Sequence, residues 1–246
     1  TVQSTMLHNL DLYTKQDGDI LKSSGYFKVL EPLKIRKYII HTSSLYTQEY
    51  QKRTNEIKNI LDHTSWEELL QKQEDYYTDF CDKSFIESSN KDTARFLNYN
   101  TFQLNNSGGE SSIHNISAKG LSGEGYEGHY FWDTEIYMIP FFILTNPEKA
   151  KNLLMYRYRT LNCAREEARK LGYKTGAKIP WRTINGEETS PYYPAGSAQF
   201  HINSDVAYAV IKYFEATNDL VFLKEYGFEL LMETARFLAE ATNYHK

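Results

Sequence analysis

The stretch from Asp133 to Gly172 reads DTEIYMIPFFILTNPEKAKNLLMYRYRTLNCAREEARKLG. Its first part, DTEIYMIPFFIL, is apolar on nearly every side, which predicts a helix buried all round. Asp133 or Thr134 can cap its start. Pro140, inside it, is expected to kink it or to set its functional length. Asn146 and Pro147 then suit a new helix start. From there Ala150, Leu153, Leu154, Leu161, Ala164 and Ala168 share one face, and Gly172 ends the run. A helix without a polar side followed by one with a polar side is what a double-layered helical barrel requires. Its inner helices are covered on all sides and its outer helices are half exposed.

The pattern continues downstream. INSDVAYAVIKYFEAT groups Ile202, Val206, Ala209, Val210 and Tyr213, and LVFLKEYGFELLMETARFLAE groups Leu223, Leu230, Leu231, Thr234, Phe237 and Leu238. A long segment, YKTGAKIPWRTINGEETSPYYPAGSAQF, precedes them. Upstream, DTARFLNYNTFQLNN reads as a helix ended by SGG, and TSWEELLQKQEDYYTDFCDK as one capped by Thr64 or Ser65, with Glu67 and Glu68 in its first turn. Helix begins at about Tyr50. Before it, YFKVLE and LKIRKYIIHTS read as strands, with turn signals at QDGD and SSG bounding shorter segments. Two to four strands make no stable sheet alone in water, so they are expected to be the tail of a larger β domain or to lean on a neighbour.

The chain has 246 residues, 41% hydrophobic and 24% charged, the composition of a globular protein. A formal net charge of −4 gives no general pull toward nucleic acid or an anionic membrane, and neither is expected as a partner. Cys81 and Cys163 belong to no metal-ligand pattern and are expected to be free thiols in a reducing, cytoplasmic compartment. The start, TVQSTMLHNL, has no signal-peptide pattern and no initiator methionine, so the chain is expected to begin within a longer protein.

The chemistry gathers in the loops. GEGYEGHYFWDTE, Gly123 to Glu135, sets acids, aromatic rings and glycines side by side. Sugars present C–H faces that stack on aromatic rings and vicinal hydroxyls that donate to carboxylates. Trp132 and Asp133 are the tightest pair of that kind. The plainer alternative makes Asp133 an N-cap and Trp132 a core residue. Trp181 and Arg182, in KIPWRTINGEE, form a second aromatic-polar cluster, which packing alone also explains. His201 and Asp205 are spaced for two metal ligands on one helical face, but a third is missing nearby. A hydrogen-bonded pocket histidine is the better reading, and no metal is expected. No nucleotide-binding glycine fingerprint and no nucleophile elbow occurs.

Four stretches together resemble glycoside hydrolase family 65: KGLSGEGYEGHYFWDTEIYMIPFF, LLMYRYRTLNCAREEARKLGYKTGAKIPW, AQFHINSDVAYAV and EYGFELLMETARF. That family contains inverting phosphorylases of maltose, kojibiose, nigerose and trehalose. The resemblance implies a mainly α fold, part of an (α/α)6 barrel. Residues 1–48 would be the last strands of an N-terminal β-sandwich, 49–90 a helical linker, and 91–246 the first half of the catalytic barrel. It implies that Trp132 and Asp133 line the glucosyl subsite, with Trp181 and His201 near the same pocket. Disaccharide and inorganic phosphate would be the substrates, with no cofactor, and the full-length parent would be a homo-oligomer. The PWRTINGEE and PAGSAQFHIN wording points toward maltose or nigerose rather than trehalose. The family's general acid is a glutamate in a stretch like Gly-Pro-Asp-Glu-Tyr-His, which does not occur in these 246 residues. No catalytic residue is therefore assigned, and the chain alone is expected to be inactive and, with half a barrel uncovered, to self-associate. The alternatives are a non-catalytic carbohydrate-binding module and a hydrolase using Glu124, Glu127 or Glu135 as its acid.

Overall fold

The computed structural model describes residues 2–28 and 32–242. The chain divides into two compact units, Thr1–Tyr77 and Thr78–Lys246. The first holds four strands: β1 (Val2–His8), β2 (Tyr13–Asp17), β3 (Ile20–Ser24) and β4 (Lys37–Ser43). They form two separate antiparallel pairs, β1 with β4 and β2 with β3. In β4 the alternation of strand side chains buries Ile40 and Thr42 and leaves Ile39 and His41 outside. The strand expected from YFKVLE does not form at Tyr26–Lys28, and Val29, Leu30 and Glu31 lie outside the described residues.

Helix α1 (Tyr50–Asp62) packs against β4. Helix α2 (Trp66–Ser84) starts where the sequence predicts, on a reciprocal cap. The Glu68 amide donates to Ser65 Oγ at 3.1 Å, and the Ser65 amide donates to Glu68 Oε2 at 2.7 Å. That backbone donor holds the Glu68 carboxyl below its ordinary pKa. Helix α3 (Lys91–Asn106) is capped by Asn90, whose Oδ1 accepts from the amides of Asp92 and Thr93.

The second unit is built on α4 (Ile139–Thr145), α5 (Pro147–Arg159), α6 (Leu161–Lys170), α7 (His201–Thr217), the single turn α8 (Leu220–Phe222) and α9 (Phe228–Ala241). Helices α4, α5, α7 and α9 share a core that includes Phe142, Leu153, Leu154, Ile202, Val206, Val210 and Leu230. The fold is mainly helical, as expected. Three details differ from the sequence reading.

Pro140 does not kink a long helix. A π-helical turn, Thr134–Met138, runs into α4, and Pro140 falls in the first turn of that helix. A proline there needs no partner for its missing N–H. The apolar stretch is also not covered all round: Tyr137 is 64% exposed and Leu144 82%. Finally, the run expected as one helix is α5 and α6 broken at Thr160, whose hydroxyl donates back to the Tyr156 carbonyl at 3.0 Å. Ala150, Leu153, Leu154, Leu161, Ala164 and Ala168 are still all buried. Gly172, at φ +93°, closes α6 in a left-handed turn.

Asn203 and Asp219 tie loops to this bundle. Asn203, fully buried on α7, accepts from the Ile179 amide and donates to the Ala177 carbonyl, at 3.0 and 2.7 Å. That fixes the backbone two residues before Trp181. Asp219 accepts from the Phe222 amide, Lys151 Nζ and Tyr213 Oη. The amide and the ammonium hold its carboxyl below the ordinary value of 3.8. Burial, then the bond to Asp219, pushes the Tyr213 phenol up to about 12. A carboxyl with a depressed folded-state pKa stabilises the fold above its unfolded value, and the contribution disappears as pH falls through the folded one. Asp219→Asn keeps the cap and loses the charge. Urea unfolding at a series of pH values is expected to show lower stability at pH 7 and a shallower loss below about pH 4. An unchanged acid limb would count against this role.

Candidate functional site

Two loops meet at the end of the bundle, residues 107–133 and 171–200. An isolated antiparallel bridge joins them: the Tyr130 amide donates to the Thr183 carbonyl at 2.8 Å and the reverse bond is 3.2 Å. Beside the bridge is a cleft of about 320 Å³. Trp132, Asp133 and Trp181 line it, together with Tyr126, Phe131, Lys119 and Ala118.

Trp132 is partly buried against the core and opens onto the cleft. Asp133 stands at the N-cap position of the π-helical turn but has helical dihedrals and makes no capping bond. Neither of the two candidate caps, Asp133 or Thr134, therefore caps the helix, and the buried Thr134 Oγ1 has no hydrogen-bond partner. A residue at φ −54°, ψ −34° already continues the helix and is not in the extended conformation that points a cap back at its amides. Asp133 lines the cleft instead. The Trp132 carbonyl accepts from the amides of Glu135 and Ile136, so the indole is carried on the helical turn itself.

Trp181 packs edge-to-face on Phe131, with centroids 5.2 Å apart, and Phe131 packs on Tyr126 at 5.3 Å. The Trp181 backbone is held by a buried carboxylate. Glu188 accepts from the Trp181 amide at 2.7 Å, the Ser190 amide at 3.0 Å and Lys178 Nζ at 2.8 Å. Lys178 and Glu188 are almost wholly buried, and each needs the other there. Nothing in the sequence singles out Glu188. Only the tertiary fold shows that it organises the loop.

His201 is the first residue of α7 and does not line the cleft. It meets the indole of Trp132 edge-on at 5.0 Å. Its Nδ1 is 2.8 Å from Asp205 Oδ2 and its Nε2 is 2.9 Å from Gln199 Oε1. The structure thus gathers Trp132, Asp133 and Trp181 around one opening and reaches His201 only through Trp132. Among the described residues, no group of three or more His, Cys, Asp or Glu is placed to hold a metal ion. No described helix is long and apolar enough to cross a membrane.

The turn before the bridge is strained. Gly125, Tyr126, Glu127 and Gly128 all have positive φ, at +110°, +55°, +45° and +75°. The two non-glycine residues each cost about 1–3 kcal/mol in that region. Glu127 is ion-paired to Arg182 of the facing loop.

Glu135 is fully buried, two residues from Asp133. It accepts from Arg157 Nε at 2.8 Å and Nη2 at 3.0 Å. Arg157 Nη2 also reaches the Phe131 carbonyl at 3.5 Å. A carboxylate so engaged is not available to protonate a leaving group, which removes Glu135 as a local acid.

Comparison with known proteins puts these helices in the catalytic domain of glycosyl hydrolases. The match is to the glycosyl hydrolase family 65 central catalytic domain over residues 98–246, and the chain belongs to that family. It is 46% identical, over 99% of its length, to an alpha,alpha-trehalose phosphorylase of Geobacillus stearothermophilus, and covers 32% of that protein. It is 46% identical, over 62% of its length, to a kojibiose phosphorylase of Halothermothrix orenii, and covers 21% of it. A solved structure, of a proposed kojibiose phosphorylase from the human microbiome, aligns over 100% of this chain and 34% of its own at 30% identity, with a TM-score of 0.82. The chain therefore spans about a third or less of these relatives.

Breaking a buried pair strands a charge and costs about 3–5 kcal/mol. Glu135→Gln or Arg157→Met is expected to lower unfolding free energy by that amount in urea titrations. The double change Glu135→Leu/Arg157→Met should recover much of the loss. Single variants as stable as the wild type would show that the pair is not structural.

Proposed function

We propose that this chain carries the glucosyl-binding wall of an inverting family 65 disaccharide phosphorylase. One observation carries the proposal: two indoles and an uncommitted carboxylate, Trp132, Trp181 and Asp133, line a single open cleft. Indole faces suit the C–H face of a pyranose, and Asp133 suits a pair of its hydroxyls. Residues 1–48 then belong to the end of a β-sandwich, 49–90 to a linker and 91–246 to the first half of an (α/α)6 barrel. His201 supports the Trp132 indole through an edge-on ring contact.

The reaction in this reading converts an α-linked glucose disaccharide and phosphate to β-glucose 1-phosphate and glucose. Phosphate is itself the nucleophile and attacks the anomeric carbon from the face opposite the leaving oxygen. One acid must protonate that oxygen, a step that contributes roughly a hundred- to ten-thousand-fold. That acid lies outside these 246 residues. Glu135 is committed to Arg157 and Glu127 to Arg182, which disfavours these two as a hydrolase acid. The relatives named above act, by their names, on trehalose or kojibiose, and these disaccharides now stand ahead of maltose. The longer protein works in the cytoplasm as a homo-oligomer, with sugar and phosphate as its partners and no cofactor.

Calorimetric titration of the chain with glucose tests the wall. Trp132→Ala and Asp133→Asn are each expected to weaken binding at least about ten-fold, the loss of a stacking face or a charged hydrogen-bond acceptor, while Trp66→Phe changes nothing. Phosphate-dependent consumption of trehalose, kojibiose, nigerose and maltose by the longer protein then fixes the linkage. Glucose binding that survives both cleft variants would remove the basis of the proposal.

A further inference from the structure

The turn 125–128 contains an unexplained choice of residue. Its four consecutive positive φ angles suit glycine, and glycine stands at both ends. The two middle positions are Tyr126 and Glu127, which pay for that backbone with strain. The Tyr126 ring lines the cleft, edge-on to Phe131. Lys119 Nζ lies 5.8 Å from its centroid. Within the turn, the His129 amide donates to the Tyr126 carbonyl at 2.9 Å.

Glu127 meets Arg182 across the gap between the two loops. The two jaws of this contact differ. The Arg182 side chain is only 14% exposed, its Nη2 also lies 3.1 Å from His129 Nδ1, and its amide donates to the buried Glu188. The Tyr130–Thr183 bridge fixes the adjoining backbone. The Glu127 side chain is 78% exposed, on the strained turn. A fixed cation on one loop therefore holds an exposed carboxylate on the other, which also lies 3.9 Å from His129 Nδ1 of its own turn. Asparagine or glycine would adopt φ +45° with less strain, and the bond to Arg182 accounts for a glutamate there.

We propose that Glu127 and Arg182 form a clasp that holds the turn 125–128 closed and keeps the Tyr126 ring over the cleft. Both are positioning residues, acting on a ligand only through Tyr126. The ligand half of this statement rests on the carbohydrate reading above, while the clasp itself does not. Opening the clasp lets the turn relax toward ordinary backbone and carries the Tyr126 ring off the cleft.

Hydrogen exchange on the full chain tests the clasp without any ligand. Glu127→Ala and Arg182→Met are each expected to speed exchange of the His129 amide about ten-fold, with the amides of α7 unchanged. Glu127→Gly removes the same carboxylate but relieves the strain, so its effect should be clearly smaller than that of Glu127→Ala. Unchanged exchange at His129 in Glu127→Ala and Arg182→Met overturns the clasp. Equal effects from Ala and Gly overturn the role of strain in it. Glucose titration of Glu127→Ala adds the ligand arm, where several-fold weaker binding is expected. Faster exchange with unaltered glucose affinity overturns the positioning role. A wild-type chain that binds no glucose counts against the carbohydrate reading, and the exchange result still decides the clasp.

Discussion

Arg157 comes from α5, in the middle of the bundle, and Glu135 from the turn that carries the cleft floor. Both are out of water. Removing either ion from solvent costs several kcal/mol, and only a close bidentate contact offsets that. The pair supplies two such bonds, and Arg157 extends a further contact to the Phe131 carbonyl. Phe131, Trp132 and Asp133 are thus attached to the core at a point that cannot slide without exposing an unpaired charge. The Tyr156 ring lies beside the guanidinium, and its own hydroxyl donates to the Ile184 carbonyl, so α5 holds both loops.

The second loop is secured in the same manner by different residues. Glu188, with Lys178 behind it, collects the amides around Trp181, and Asn203 fixes the chain just before. The Tyr130–Thr183 bridge sets the spacing between the loops. Most acids near the cleft are spoken for: Glu135 by Arg157, Glu188 by Lys178, Glu127 by Arg182, Asp205 by His201. Asp133 differs. It has no capping task, and it faces the opening.

The helices were legible because their apolar spacing is strong. Every residue assigned to a buried face of α5, α6 and the first three turns of α7 is buried. What was not legible depends on backbone detail or on distant partners. Nothing in the pattern DTEIYMIP distinguishes a kinked helix from a π-helical turn with Pro140 placed harmlessly after it. Nothing at Thr160 announces a helix break, since threonine fits either side of one. Trp132, Asp133 and Trp181 could be picked out because rings beside acids in long loops are unusual. Lys119 could not, and Tyr126 was one ring among several in the stretch from Gly123 to Glu135. Glu188 and Glu135 were hidden for a simpler reason: a buried, paired glutamate and a solvated one are the same letter.

The two acids of the Asp133–Glu135 segment answer to different demands. One is bound into the interior, and while Arg157 stands opposite it the fold tolerates little else there. Its neighbour two positions earlier contributes no bond to the architecture. Replacing residue 133 is therefore expected to leave the amount of folded protein unchanged. Residue 135 has no such freedom, and variation there would first be seen as lost protein.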